Sequence, residues 1–135
     1  VGYRRPRKKS KYFVEPELFD NVVTFVRCYP LWIKELETLP DSSKAITYDS
    51  EKVQTSNSYD ATSELALKRV EIEHKVTIVE DAAKAVGGDI WEWIIKGTTT
   101  RDNTIEDLIA QGMPCSRGPF IKMRQHFYYL VSKRI

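Results

Sequence analysis

Few side chains in this sequence could do chemistry, and their spacing argues against most reactions. His74 and His126 have no Cys or second His at ligand spacing, so no metal site is expected. Cys28 and Cys115 lie 87 positions apart, without the paired spacing of a disulfide framework or zinc site, and read as reduced structural thiols. Glu71 with Glu73, and Glu106 with Asp107, fall in helical stretches, where neighbours one or two apart point in different directions and cannot share acid–base work. No glycine-rich phosphate loop, nucleophile elbow or Cys/His pairing occurs. Neither an enzyme nor a cofactor is expected. What remains is recognition chemistry, in which Arg and Gln hydrogen-bond base edges and Lys meets phosphate.

The charge distribution sharpens this reading. The 135 residues are 41% apolar and 30% charged, with a net charge of +2, which fits one globular domain of ordinary size. Residues 1–12 hold Arg4, Arg5, Arg7, Lys8, Lys9 and Lys11 and no acid. Residues 113–135 hold Arg117, Lys122, Arg124, Lys133 and Arg134, again with no acid. All 19 acidic side chains fall in the middle, which is therefore strongly negative. Two basic ends attract polyanions while the middle repels them. Tyr3 and Tyr12 are too sparse to form a single-strand stacking platform, so residues 1–12 read as a disordered basic arm.

The elements that must position the C-terminal cations form a helix, a turn and a second helix. Asn103 is expected to cap the first, with Glu106 completing a capping box and Ile105, Leu108 and Ile109 as the apolar stripe. Gly112 can take a left-handed conformation, Pro114 forbids continuation, and Ser116 can cap a second helix whose first turn tolerates Pro119. On that helix Phe120, Met123, Phe127, Leu130 and Arg134 share a predicted core face. Gly118, Ile121, Lys122, Gln125, Tyr129 and Lys133 lie opposite, with Arg117 at the entrance. Such a pair is a helix-turn-helix, in which the second helix reads the major groove.

Upstream, a helix from Glu15 carries Leu18, Phe19, Val22, Val23, Phe25 and Val26 and is interrupted at Tyr29-Pro30; a second piece runs from Leu31 to Leu39. Residues 41–59 show neither helical nor strand period and read as a loop. Asp60 is expected to cap a long helix with a seam of Leu65, Ile72, Val76, Val79, Ala83, Val86 and Ile90, a candidate homodimer contact across residues 65–90. Gly87-Gly88 weakens it and splits off Asp89 to Lys96, which Gly97 closes; Thr98 to Asp102 form a link. The expected fold is all-α: a helical bundle with a C-terminal helix-turn-helix and a disordered basic N-terminal arm. Its parts are residues 1–12 as arm, 13–97 as helical domain and 98–135 as helix-turn-helix. No apolar run could span a bilayer and no secretory leader is visible, so a cytoplasmic location is expected.

The run Cys115-Ser116-Arg117-Gly118-Pro119-Phe120-Ile121-Lys122-Met123-Arg124-Gln125-His126-Phe127-Tyr128-Tyr129-Leu130, with Tyr29-Pro30 and Ile33-Lys34-Glu35-Leu36 far upstream, resembles phage late-gene transcription regulators of the RinA and ArpU type. Ser116, Arg117, Phe120, Arg124 and Leu130 match that pattern. Met113-Pro114-Cys115 makes the turn longer than the family's usual one. The resemblance implies an all-helical protein ending in a helix-turn-helix similar to the promoter-reading fourth region of sigma factors. It also implies sequence-specific binding of double-stranded DNA within a bacterial host cell. The residues expected to touch DNA are Ser116, Arg117, Lys122, Gln125 and Lys133, with Arg4, Arg5, Arg7, Lys8 and Lys9 adding contacts from the arm. RNA polymerase or another phage protein is a second expected partner, suited to the acidic middle. The competing reading is a protein-interaction adaptor or DNA-packaging component that uses the long helix seam.

Overall fold

The computed structural model describes residues 6–39, 56–100 and 103–135, the side chains of 56–62 excepted. It is all-helical, with no strand among the described residues. The chain divides into two compact units, Val1–Pro30 with Thr77–Ile135, and Leu31–Val76. None of its described helices is long and apolar enough to cross a membrane.

Helix α1, Pro16–Arg27, starts on a proline whose missing N–H costs nothing in the first turn. Phe19, Val22 and Val26 recur at three and four and are its buried side. Its end is where the Tyr29-Pro30 pair requires it. Pro30 has no N–H for the carbonyl of Val26, and the Cys28 N–H takes that acceptor instead. Helix α2, Tyr29–Thr38, follows at once.

Within the Leu31–Val76 unit, the open carbonyls at the end of α2 are met by a cation. Arg69 donates to the Leu36 and Leu39 oxygens at 3.0 and 3.2 Å and pairs with Glu73 at 2.8 Å, satisfying acceptors that a helix end leaves over. Lys75 lies 5.7 Å from the Trp32 ring centre.

Helix α3 spans Ser56–Gly87 and so begins before Asp60, which sits inside it and does not cap it. The expected loop is helical over 56–59, and its portion 41–55 lies outside the described residues. Helix extension costs little once a long helix exists, so it runs over Ser56, Asn57 and Ser58 despite their preference for turns. Along the expected seam Ile72, Val76, Val79 and Ala83 are buried, whereas Leu65 is exposed. Ile78 and Ala82 are buried as well, so within the larger unit the covered side is broader than a heptad stripe.

The glycine pair ends α3 as expected. Gly88 takes a positive φ of 54°, a 3-10 turn covers Gly88–Ile90, and helix α4 runs Trp91–Thr99. Asp89 and Ile90 thus belong to the turn, and Gly97 does not close the helix. It is buried within α4, where a Cβ would meet Phe120 Cζ at 2.7 Å and Leu108 Cδ1 at 2.9 Å. This glycine is a point of close packing. Thr98, also buried, satisfies its hydroxyl by donating to the Ile94 oxygen at 2.8 Å. Of the expected link, Arg101 and Asp102 lie outside the described residues.

Helix α5, Ile105–Ala110, is capped one residue later than expected. The Asp107 N–H donates to Thr104 Oγ1 and the Thr104 N–H to Asp107 Oδ2, both at 3.1 Å, so the box is Thr104 with Asp107 in place of Asn103 with Glu106. Ile105 and Leu108 are buried, but Ile109 is 41% exposed and drops out of the stripe. Gly112 has φ 110°, which lets the chain turn so that the Met113 N–H reaches the Leu108 oxygen at 3.0 Å and the Met113 side chain is buried.

Helix α6, Arg117–Ser132, begins after Ser116, whose side chain makes no capping bond. It packs with α1, α4 and α5, and α4 also meets α1 and α5. Its buried residues are Phe120, Phe127, Tyr128 and Val131, with Phe19 of α1 edge-on to Tyr128 at 5.4 Å. The expected core face is therefore rotated: Met123 and Leu130 are half-buried, and exposed Arg134 stands 3.3 Å from Asp81. Helices on more than one side bury Tyr128 and Val131 beside the two phenylalanines, a width that a stripe of threes and fours does not capture.

Candidate nucleic-acid interface

Residues 6–12 depart from the expected disordered arm. The Ser10 N–H donates to the Arg7 oxygen at 2.8 Å and the Phe13 N–H to the Ser10 oxygen at 3.2 Å, closing successive turns. The Tyr12 N–H donates to Ser10 Oγ at 3.2 Å. Pro6 and Val14, on either side, are buried. The Tyr12 ring stacks on His126 of α6, with centres 4.4 Å apart and planes at 17°, and lies 5.9 Å from Tyr129. His126 and Tyr129 are three apart and so present both rings to one incoming side chain.

This docking creates an open groove of about 400 Å³ lined by Ser10, Lys11, Tyr12, Val86, Lys122, Met123, Gln125 and His126. Two lysines enter it and no carboxylate does. Lys122, Gln125 and His126 share a side of α6 because they stand at i, i+3 and i+4. The Lys11 ammonium lies 5.1 Å from the centre of its neighbour's ring, Tyr12.

The residues expected to touch DNA are not all gathered there. Arg7, Lys8 and Lys9 are exposed on the N-terminal turn, while Arg4 and Arg5 lie outside the described residues. Lys122 is exposed at the groove and Gln125 is half-buried in it. Ser116 and Arg117 are exposed at the start of α6, about 12 Å along the axis from Gln125 at the usual rise per residue. Lys133, past the far end of α6, holds its ammonium 4.9 Å from the Tyr129 ring centre. Arg117 is engaged by Glu106 of α5 at 2.5 Å. Glu106's own backbone N–H, and then Arg117, hold that carboxyl below the ordinary glutamate range.

Sequence reasoning missed Lys11, Tyr12 and His126 as parts of the site. Their signal was local: an aromatic ending a basic run, and His126 three residues before Tyr129, a member of the face assigned to DNA. Among the described residues no group of three or more His, Cys, Asp or Glu is placed to hold a metal. Cys115, in the turn before α6, has its thiol pushed up by burial and is the neutral thiol at pH 7. The chain matches no known family model, and no curated protein or solved structure matches it either.

Proposed function

We propose that this protein is a sequence-specific DNA-binding transcription regulator of phage type, with α5, the Gly112 turn and α6 acting as a helix-turn-helix. The observation that carries the reading is the basic N-terminal turn docked on α6 beside an acid-free groove. Two cationic segments that are far apart in sequence thus face a ligand together, as a polyanion requires. The first two turns of α6 enter the major groove. Arg117 addresses a guanine edge, Gln125 an adenine edge, and Lys122 and Lys133 phosphates. Arg7, Lys8 and Lys9 meet the flanking backbone. The resemblance of the Ser116–Leu130 run to the RinA and ArpU regulators supports the transcriptional role, with the acidic middle of the chain turned to polymerase or another phage protein.

Gel shifts against DNA upstream of neighbouring genes, run over a range of salt, test this. If about six phosphates are neutralised, log affinity falls against log salt with a slope near −5. Replacing Arg7, Lys8 and Lys9 together by Ala, with Tyr12 left in place, flattens that slope by about 2.7 and weakens all sequences alike. An unchanged slope removes the turn from the interface, and a chain that shifts no duplex removes the reading.

An adaptor or packaging role draws on the other unit. There Leu31, Leu67 and Val70 are 60%, 65% and 59% exposed, apolar side chains that a protein partner would cover. A chain that binds no duplex yet sediments as a stable dimer favours this second reading.

A further inference from the structure

We infer that Lys11 and Lys122 grip one and the same backbone phosphate of the DNA, so that the groove between the N-terminal turn and α6 is a phosphodiester site; this rests on the DNA-binding reading. Lys11 comes from the turn and Lys122 from the helix, and both line a single groove. Like charges brought to one cleft repel each other, and here no carboxylate lines the cleft to offset them. Among the described residues neither lysine enters an ion pair. An anion between them removes the repulsion and gains both attractions.

The neutral groups fit the same ligand. Ser10 Oγ already accepts the Tyr12 N–H at 3.2 Å, which leaves its O–H to donate outward. Val86 and Met123 supply an apolar lining that weakens screening within the groove. The Tyr12–His126 stack is what brings the two lysines to one place. His126 stands one helical turn beyond Lys122, and Tyr12 is the residue after Lys11. Lysine suits the task, since a point charge grips a phosphate without reading the base.

A double-mutant cycle on duplex affinity across a salt series distinguishes one shared phosphate from two. Either single variant, Lys11→Ala or Lys122→Ala, leaves the other ammonium on the phosphate and changes the salt slope by well under about 0.9, whereas the double variant lowers its magnitude by about 0.9, because one counterion site is then lost. The affinity of the double variant falls by more than the product of the two single losses. Both side chains are exposed, and thermal melts confirm that the variants remain folded. Losses that multiply, with a slope change of about 1.8 in the double variant, overturn the shared phosphate while leaving DNA binding intact. An unchanged slope in the double variant overturns it too. A wild-type chain that shifts no duplex overturns the functional reading and the shared phosphate together.

Discussion

Replacing Gly97 by Ala tests the packing on which the helix pair stands. In an open helix interior this change stabilises by about 1 kcal/mol, because alanine loses less backbone freedom on folding. Here the new Cβ would lie 2.7 Å from Phe120 Cζ and 2.9 Å from Leu108 Cδ1. Carbon atoms prefer about 3.5–4.0 Å, so ring and methyl would each have to retreat by about 1 Å. Phe120 and Leu108 are 0% and 1% exposed, which leaves little room for that retreat. Overpacking of this kind costs about 1–3 kcal/mol before backbone strain is added. With two contacts below 3 Å the upper part of that range applies, and the net loss is about 1–2 kcal/mol. At this chain length that lowers Tm by roughly 3–8 °C in a calorimetric scan. Gly118→Ala is the control, because a Cβ there meets nothing within 4 Å, and it should melt at or above wild type. A Gly97→Ala protein as stable as wild type would refute the close approach of α4 to α5 and α6.

Phe127→Ala should cost about 3–5 kcal/mol in a urea titration, since a fully buried aromatic leaves a cavity that its neighbours fill only in part. A loss under about 1 kcal/mol would place Phe127 at the surface. Thr104→Ala should destabilise by about 1 kcal/mol while Asn103→Ala does not, because the capping box belongs to Thr104; the reverse order in thermal melts would restore the cap to Asn103. The Tyr29 hydroxyl donates to Glu80 Oε2 at 2.6 Å, and burial first, then that bond and charge, push the phenol above the ordinary tyrosine range. Tyr29→Phe should therefore lose about 1 kcal/mol. Because the folded-state pKa is the higher one, this difference is fully present below about pH 10 and shrinks as pH rises through the folded value. A difference between wild type and Tyr29→Phe that grows above pH 10 would contradict the sign.

Much of the helical order was legible because its signals are local. Pro16, the Tyr29-Pro30 break, Gly87-Gly88 and the Gly112 turn act through a missing N–H or a positive φ, effects confined to a residue and its near neighbours. The starts of α1 and α6 follow from the same rules. The cap of α5 was misplaced by one residue because Asn103 with Glu106 and Thr104 with Asp107 both satisfy a capping-box spacing. Only the backbone geometry selects between them.

The candidate site was legible in its composition but not in its assembly. The sequence by itself determined an all-helical chain, the acid-free basic ends and the residue types able to meet phosphate. Only the tertiary structure decided that Tyr12 seats the N-terminal turn on His126, that Lys11 joins Lys122 in one groove, and that Glu106 holds Arg117. It also decided that Gly97 admits Phe120 and Leu108 and that α6 buries Tyr128 and Val131. Helical periodicity and capping depend on neighbours within about four residues, so one sequence window contains their causes. Stacking, close packing and the grouping of charges depend on which distant segments meet. That meeting is set by the whole chain's burial of apolar surface, which no local window contains.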